Sequence, residues 1–292
     1  MTFLERHNLR LGLLFISPWI LGFLAFTVYP VAASLFFSFC DYDVLSPPVW
    51  VGTLNYQDMV TDDVFWKSVW NTLFFNLMAL PLGLVSALAL ALLLNQPVRL
   101  RGVFRAIYYL PSLVPAVASA MVWLWILNGR LGLLNQALVA VGISHPPQWL
   151  GDPAWAKPSL ALVSLWGCGN TVVIYLAALQ GVPRSLLEAA MIDGASAWKR
   201  LLHVTLPAIS PVIYFNLLIG IIGGLQVFTT AFIMGGAERS TLFYAIYIYQ
   251  NAFEYRHMGY ASAMAWILCL MILALTWAAS RLSRSLVHYQ GE

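Results

Sequence analysis

The sequence predicts an all-α integral membrane protein with six transmembrane helices, on three observations. Of its 292 residues, 61% are hydrophobic and only 9% charged, with a mean hydropathy of +0.78, far outside the range of soluble globular chains. The apolar residues gather into runs of about 20 or more, the length that crosses a bilayer as a helix, and not into the short alternating segments of a membrane β-barrel. Nearly all the charges fall between these runs.

The first run covers 11–39. It follows a short polar leader, is about twice as long as the apolar part of a signal peptide, and reads as a retained span. Pro18 and Pro30 lie inside it. The remaining spans are expected at 69–94, 106–127, 159–179, 208–234 and 258–280. The segments between them sort by charge. One set, comprising the two termini, 95–105 and 180–207, holds ten basic residues: Arg6, Arg10, Arg99, Arg101, Arg105, Arg184, Lys199, Arg200, Arg281 and Arg284. The other set holds five: Lys67, Arg130, Lys157, Arg239 and Arg256. The positive-inside rule then puts both termini and the 183–207 loop in the cytoplasm. The chain is thus expected to be a single multi-pass domain, 1–292.

Of the outer loops, 40–68 carries Trp50, Tyr56, Phe65 and Trp66, and 128–157 carries the apolar stretch 131–141 with Trp149 and Trp155. These aromatics fit interfacial anchors or a docking surface for an extracytoplasmic partner. Cys40, Cys168 and Cys269 are too scattered to pair or to bind a metal and read as packing residues. The five histidines form no cluster, so no metal site is expected. A net charge of +3 gives no basis for nucleic-acid binding.

The span cores, as drawn, hold no Asp, Glu, Lys or Arg, which argues against ion-coupled carriers. They do hold neutral polar groups: Ser112 between Pro111 and Pro115; Ser164, Trp166 and Asn170; and Asn216, Gln226, Thr229 and Thr230. Such groups suit a polyhydroxylated ligand in a wet cavity. They equally suit hydrogen bonds between helices. Pro111, Pro115, Gly167, Gly169, Gly220, Gly223 and Gly224 permit kinks, close approach and local unwinding in the third to fifth spans.

No phosphate loop, H-E-x-x-H, C-x-x-C or G-x-S-x-G is present, so no catalytic residue is expected and any ATP must be bound by another chain. The 183–207 loop has the punctuation of two short helices. Ser185 with Glu188 reads as a capping box, Gly194 as a left-handed stop, Ser196 as a second helix start and Pro207 as the end of the unit.

Glu188-Ala189-Ala190, Gly194 after three more residues, and Val204 with Leu206-Pro207 resemble the EAA loop of importer-type ABC transporter permeases, with Val204 where isoleucine is commoner. Ser17-Pro-Trp-Ile-Leu-Gly-Phe, Gly52-Thr-Leu-Asn-Tyr56, Phe65-Trp-Lys-Ser-Val-Trp-Asn-Thr72, 105–115 and Leu225-Gln-Val-Phe228 before Gly235-Gly236 look like the carbohydrate branch of that family, its maltose and lactose F-type subunits in particular. The resemblance implies a sugar importer of a bacterial or archaeal cytoplasmic (inner) membrane. Its expected partners are a second homologous permease, two ATP-binding subunits that hold ATP and Mg, and an extracytoplasmic solute-binding protein. It implies that Glu188, Ala189, Ala190, Asp193, Gly194, Leu206 and Pro207 couple this chain to the ATPase, which drives alternating access. Glu188 can serve as a capping residue, as a partner contact, or as both. The family's ligand positions point to Ser112, Ser164, Trp166, Asn170, Gln226 and Phe228 as substrate-binding candidates, while Ala116, Gly220 and Gly224 replace hydroxyl or amide groups of the maltose-type pattern. The alternatives are a permease for a glycerol-phosphate or polyol-type solute and a stand-alone channel or secondary carrier.

Overall fold

Helices account for nearly all of the regular structure in the computed structural model, which describes residues 3–97 and 99–283. The termini expected in the cytoplasm, with Arg284, lie in part outside the described residues. Among those residues, four helices are long and apolar enough to cross a membrane: α1 (Leu11–Phe37), α3 (Asp63–Leu94), a broken helix (Ser210–Met234) and α14 (Met258–Ser283). The number rises to six if each of two bent pairs is one span. The chain divides into two compact units, one built from residues up to 62 with 248–269, the other from 63–247 with the residues from 270 onward.

In the first unit, α1 is helical throughout, with a π turn at Leu24–Val28 ahead of Pro30, which has no N–H to donate to the preceding turn. Two short antiparallel strands, β1 (Cys40–Asp41) and β2 (Val49–Trp50), follow, and then α2 (Leu54–Thr61). Asn55 locks this hairpin to the end of α1: its Nδ2 donates to Ser38 O and Cys40 O, each at 2.9 Å. Tyr56 Oη donates to Ser38 Oγ at 2.8 Å. Gly52 makes the turn at φ +66°. At the start of α14, Gly259 N donates to Tyr42 O at 3.1 Å. Any Cβ at Gly259 would overlap Cys40 O.

The second unit is built on α3, which starts at Asp63, six residues before its apolar core. An acidic residue in the first turn suits the positive end of the helix dipole. The third span is not straight. Helix α4 (Arg101–Tyr109) and the turn to Leu113 bend by 99° into α5 (Ala116–Ile126). Pro111 and Pro115 interrupt the amide ladder, and Val114 takes an extended conformation. After α6 (Leu133–Ala140), the segment expected as the fourth span is likewise two helices, α7 (Pro153–Trp166) and α8 (Gly169–Gln180), bent by 51°. It begins earlier than its hydropathy indicates because Asp152 caps it, accepting from Ala154 N at 2.9 Å, with Pro153 in the first turn.

Two short helices follow, α9 (Arg184–Ile192) and α10 (Ala197–Arg200). A π turn at Leu201–Thr205 then carries the chain through Pro207. Pro207 therefore does not end the unit as expected, because it sits in a first helical turn where no N–H is needed. Helix α11 (Ser210–Leu225) and α12 (Thr229–Met234) make the fifth span, interrupted at Gln226–Phe228. The short α13 (Tyr244–Tyr249) leads to α14.

Around α3 pack α7, α8 and α11, while α12 packs on α5. Ala87, Ala91 and Leu94 of α3 meet Val172, Tyr175, Leu176 and Leu179 of α8, with Val182 and Ile209, in one buried cluster. Small residues on α3 let the backbones approach, the packing mode that drives association where lipid is as apolar as leucine. The G-x-x-x-G of α11 serves the same end: a Cβ at Gly220 would overlap Leu80, and one at Gly224 would overlap the Asn76 amide.

At the other end of α3, Asn71 Nδ2 donates to Arg239 O at 3.0 Å and Leu242 O at 3.1 Å. Thr72 Oγ1 accepts from Tyr244 N at 2.8 Å, and Lys67 Nζ donates to Glu238 O at 2.7 Å. These bonds hold a segment in which Glu238 and Arg239 both have positive φ, a conformation that persists only when its surroundings fix it.

Candidate functional site

Two features stand out in the second unit: a cavity with polar groups in a largely apolar lining among its broken helices, and the exposed pair α9–α10.

The cavity has a volume of about 500 Å³ and is lined by α3, the 111–119 bend, α7 and α8 around their break, and α11–α12. Each helix break serves it. Ser112, on the tight turn before Pro115, lines it and donates to Tyr109 O at 2.7 Å, which leaves the oxygen's lone pairs free. Ser164 lines it in the same way, donating to Ala161 O at 2.7 Å. Gly169 lets α8 meet this turn, since a Cβ there would lie 3.0 Å from both Ser112 Oγ and Tyr108 O. Trp166 contributes an indole, held edge-to-face by Trp123 at 6.0 Å between ring centroids. The 226–228 interruption contributes Val227, and the turn after it Thr230.

The structure therefore gathers Ser112, Ser164 and Trp166 on one cavity wall. Asn170 and Gln226 are exposed outside the lining, and Phe228 stacks on Phe232 at 5.1 Å. Further polar residues line the cavity that were not among the substrate-binding candidates: Asn76, Ser119, Thr171, Asn216 and Thr230. Asn216 donates from Nδ2 to Val212 O at 2.8 Å. Asn76 and Thr171 carried a usable signal, a polar side chain within an apolar run, where it is costly unless it has work to do. Cys168 packs against the α3–α8 cluster, as its reading as a packing residue expects, and also lines the cavity. No lining residue is an Asp, Glu, Lys or Arg.

Helix α9 differs from its expected capping. Its N-cap is Pro183, with no side-chain cap, and Ser185 lies inside the helix, so Ser185 and Glu188 form no capping box. Pro183 fixes its own φ and starts the helix two residues early. The C-terminal end is as read: Gly194 has φ +75°, Gly194 N donates to Met191 O at 3.0 Å and Ala195 N to Ala190 O at 2.9 Å, a Schellman pair. Ser196 then caps α10, accepting from Lys199 N at 3.4 Å.

One side of this pair is anchored. Leu187 and Leu206 pack on the cluster formed by α3 and α8, and Ala190 and Pro207 are half-buried. The other side is open. Glu188, Ala189, Asp193 and Gly194 are exposed. Among the described residues the Glu188 carboxylate has no hydrogen bond or ion pair. On the same helix Leu186 is 50% and Ile192 86% exposed, and on α10 Trp198 is 66% exposed.

Comparison with known proteins agrees in family and fold. The family described as binding-protein-dependent transport system inner membrane component matches residues 79–288. The chain is 40% identical to the probable ABC transporter permease protein YesP of Bacillus subtilis, over 99% of this chain and 95% of that one. It is 34% identical to the lactose transport system permease protein LacF of Rhizobium radiobacter, over 94% of each. A solved bacterial ABC transporter involved in the import of the acidic polysaccharide alginate superposes with a TM-score of 0.86 at 25% identity, covering 98% of this chain and 100% of that one. The alginate transporter in complex with an alginate pentasaccharide-bound periplasmic protein superposes at 0.84, also at 25% identity, over 97% and 96%.

Proposed function

This chain belongs to the family of binding-protein-dependent transport system inner membrane components, and on that premise we propose that it is the permease subunit of an ATP-driven importer of di- or oligosaccharides. The observation that carries this reading is the pairing of an unpartnered, exposed Glu188 with an anchored helix whose base rests on the same α3–α8 cluster as the cavity walls. A partner that grips α9 would move Leu187 and Leu206 and, through them, α3, α8 and α11. Separate ATP-binding subunits, to which this chain contributes no phosphate loop, would supply that grip. Glu188 would meet a basic residue of such a subunit, Ala189 would allow close approach, and Gly194 would set the turn.

On the outer side, a solute-binding protein loaded with sugar would favour one of two arrangements of the broken helices, because a partner shifts an equilibrium only by its differential affinity. The complex of the alginate transporter with its periplasmic protein supports that partner. A second permease subunit would complete the pathway. Names among the relatives, lactose in particular, support a sugar cargo. So does a cavity whose polar groups are hydroxyls, amides and an indole. An anionic glycerol-phosphate would ask for a cation, and the lining has none.

The test is Glu188→Lys in the complete transporter. Membrane insertion should be unchanged and sugar uptake lost, with ATP hydrolysis uncoupled or assembly prevented. Uptake equal to that of the unsubstituted protein would remove Glu188 from the coupling.

A further inference from the structure

The proposed reading leaves Asn76, a buried cavity group, without a task. Asn76 sits at the middle of α3, 8% exposed, with its amide in the cavity lining. Among the described residues it makes no side-chain hydrogen bond. The amide is not sealed in protein, since Arg105 Nε and Ser240 Oγ are the buried side-chain atoms without a partner among the described residues; it opens to the cavity, and interhelical bonding, the ordinary arrangement, is not taken here. The neighbouring helix makes room for it instead. A Cβ at Gly224 of α11 would overlap Asn76 Oδ1, so the backbone of α11 is bare where the amide lies. One turn away, Gly220 accommodates Leu80, so the approach of the two helices is set by a second pair as well.

Resting on the sugar-permease reading, we infer that Asn76 is a cargo-contacting residue, its amide hydrogen-bonded to a sugar hydroxyl, and that Gly224 is the positioning residue that keeps the amide free for it. The chemistry is specific. A hydroxyl both donates and accepts, and a carboxamide offers two donors and an acceptor at one site, so one residue can follow a hydroxyl as the sugar turns. α3 thus takes part in recognition as well as in packing, and a neutral polyol surface is what it recognises. Asn76→Leu keeps the volume and loses the hydrogen bonds. Asn76→Asp keeps the acceptor, loses the donors and adds a charge. Gly224→Ala pushes the amide aside.

The experiment measures uptake of radiolabelled lactose, maltose and larger neutral oligosaccharides by cells carrying the complete transporter. For the sugar that is carried, Asn76→Leu and Gly224→Ala should each raise KM about tenfold, the effect of one lost hydrogen bond, with the amount of chain in the membrane unchanged. Asn76→Gln should retain part of the affinity. The double variant Asn76→Ala with Gly224→Ala separates recognition from packing: the overlap is relieved, and KM should stay raised. If the double variant regains the normal KM, or Asn76→Leu leaves KM and sugar preference unchanged, the amide is a spacer and the inference is overturned. If none of these sugars is carried, the sugar-permease reading itself fails.

Discussion

Asn71 shows what a single amide can hold together. Its two bonds to Arg239 O and Leu242 O, with Thr72 accepting from Tyr244 N, tie the strained 235–244 segment to α3. Asn71→Ala would leave two carbonyls without their donor and should lower stability by about 2–4 kcal/mol, read as a lower Tm in detergent and earlier proteolysis near Arg239; an unchanged Tm would mean that water replaces the amide. The thiols give a second test at this scale. Cys40 is fully buried whereas Cys168 lines the cavity, so a water-soluble maleimide should label Cys168 and spare Cys40. Labelling of Cys40 at the faster rate would contradict the burial. The role of the Asn71-Thr72 pair was not legible from sequence, because its partners lie about 170 positions away in the chain. The Gly194 turn was fully legible, because a Schellman end is a local event with a local residue requirement.

At the scale of elements, four of the expected spans coincide with helices long and apolar enough to cross a membrane, and the other two coincide with bent helix pairs whose change of direction hydropathy missed. A run of apolar residues reports how much chain can enter lipid and says nothing about a bend of 99° within it. The prolines at 111 and 115 and the glycines at 167 and 169 did carry that information, as permission for kinks, and the structure uses them to line the cavity. The ends were missed for a related reason: Asp63 and Asp152 start helices with polar residues that an apolar scan leaves out. The capping box at Ser185 failed because Pro183 had already started the helix. Of the ligand candidates, Ser112, Ser164 and Trp166 line the cavity, while Asn170 and Gln226 do not, since a break in a helix rotates the residues beyond it away from the expected face. For α9, Gly194→Ala forces a Cβ into a left-handed conformation at a cost of about 1–2 kcal/mol, whereas Gly194→Asn tolerates it. Uptake should therefore fall more in the alanine variant than in the asparagine variant, and equal uptake in both would show that the Schellman end does not matter to function.

At the scale of the whole molecule, the chain reads as one part of a larger machine. Its cavity lining holds no Asp, Glu, Lys or Arg, and among the described residues the exposed Glu188 carboxylate has no hydrogen bond or ion pair. Leu14, Phe15, Trp19 and Phe26 of α1 are 69–84% exposed, and the family to which the chain belongs is named for dependence on a binding protein. The account proposed for these features is that ATP hydrolysis on other subunits drives rearrangement of the broken helices. The most direct measurement is solute accumulation by proteoliposomes holding this chain together with the subunits that co-purify with it, supplied with the sugar-loaded binding protein outside and ATP inside. The account predicts co-purifying ATP-binding subunits and sugar accumulation that requires ATP and is abolished by Glu188→Lys. Accumulation by this chain alone without ATP, or unchanged accumulation in the Glu188→Lys variant, would contradict it.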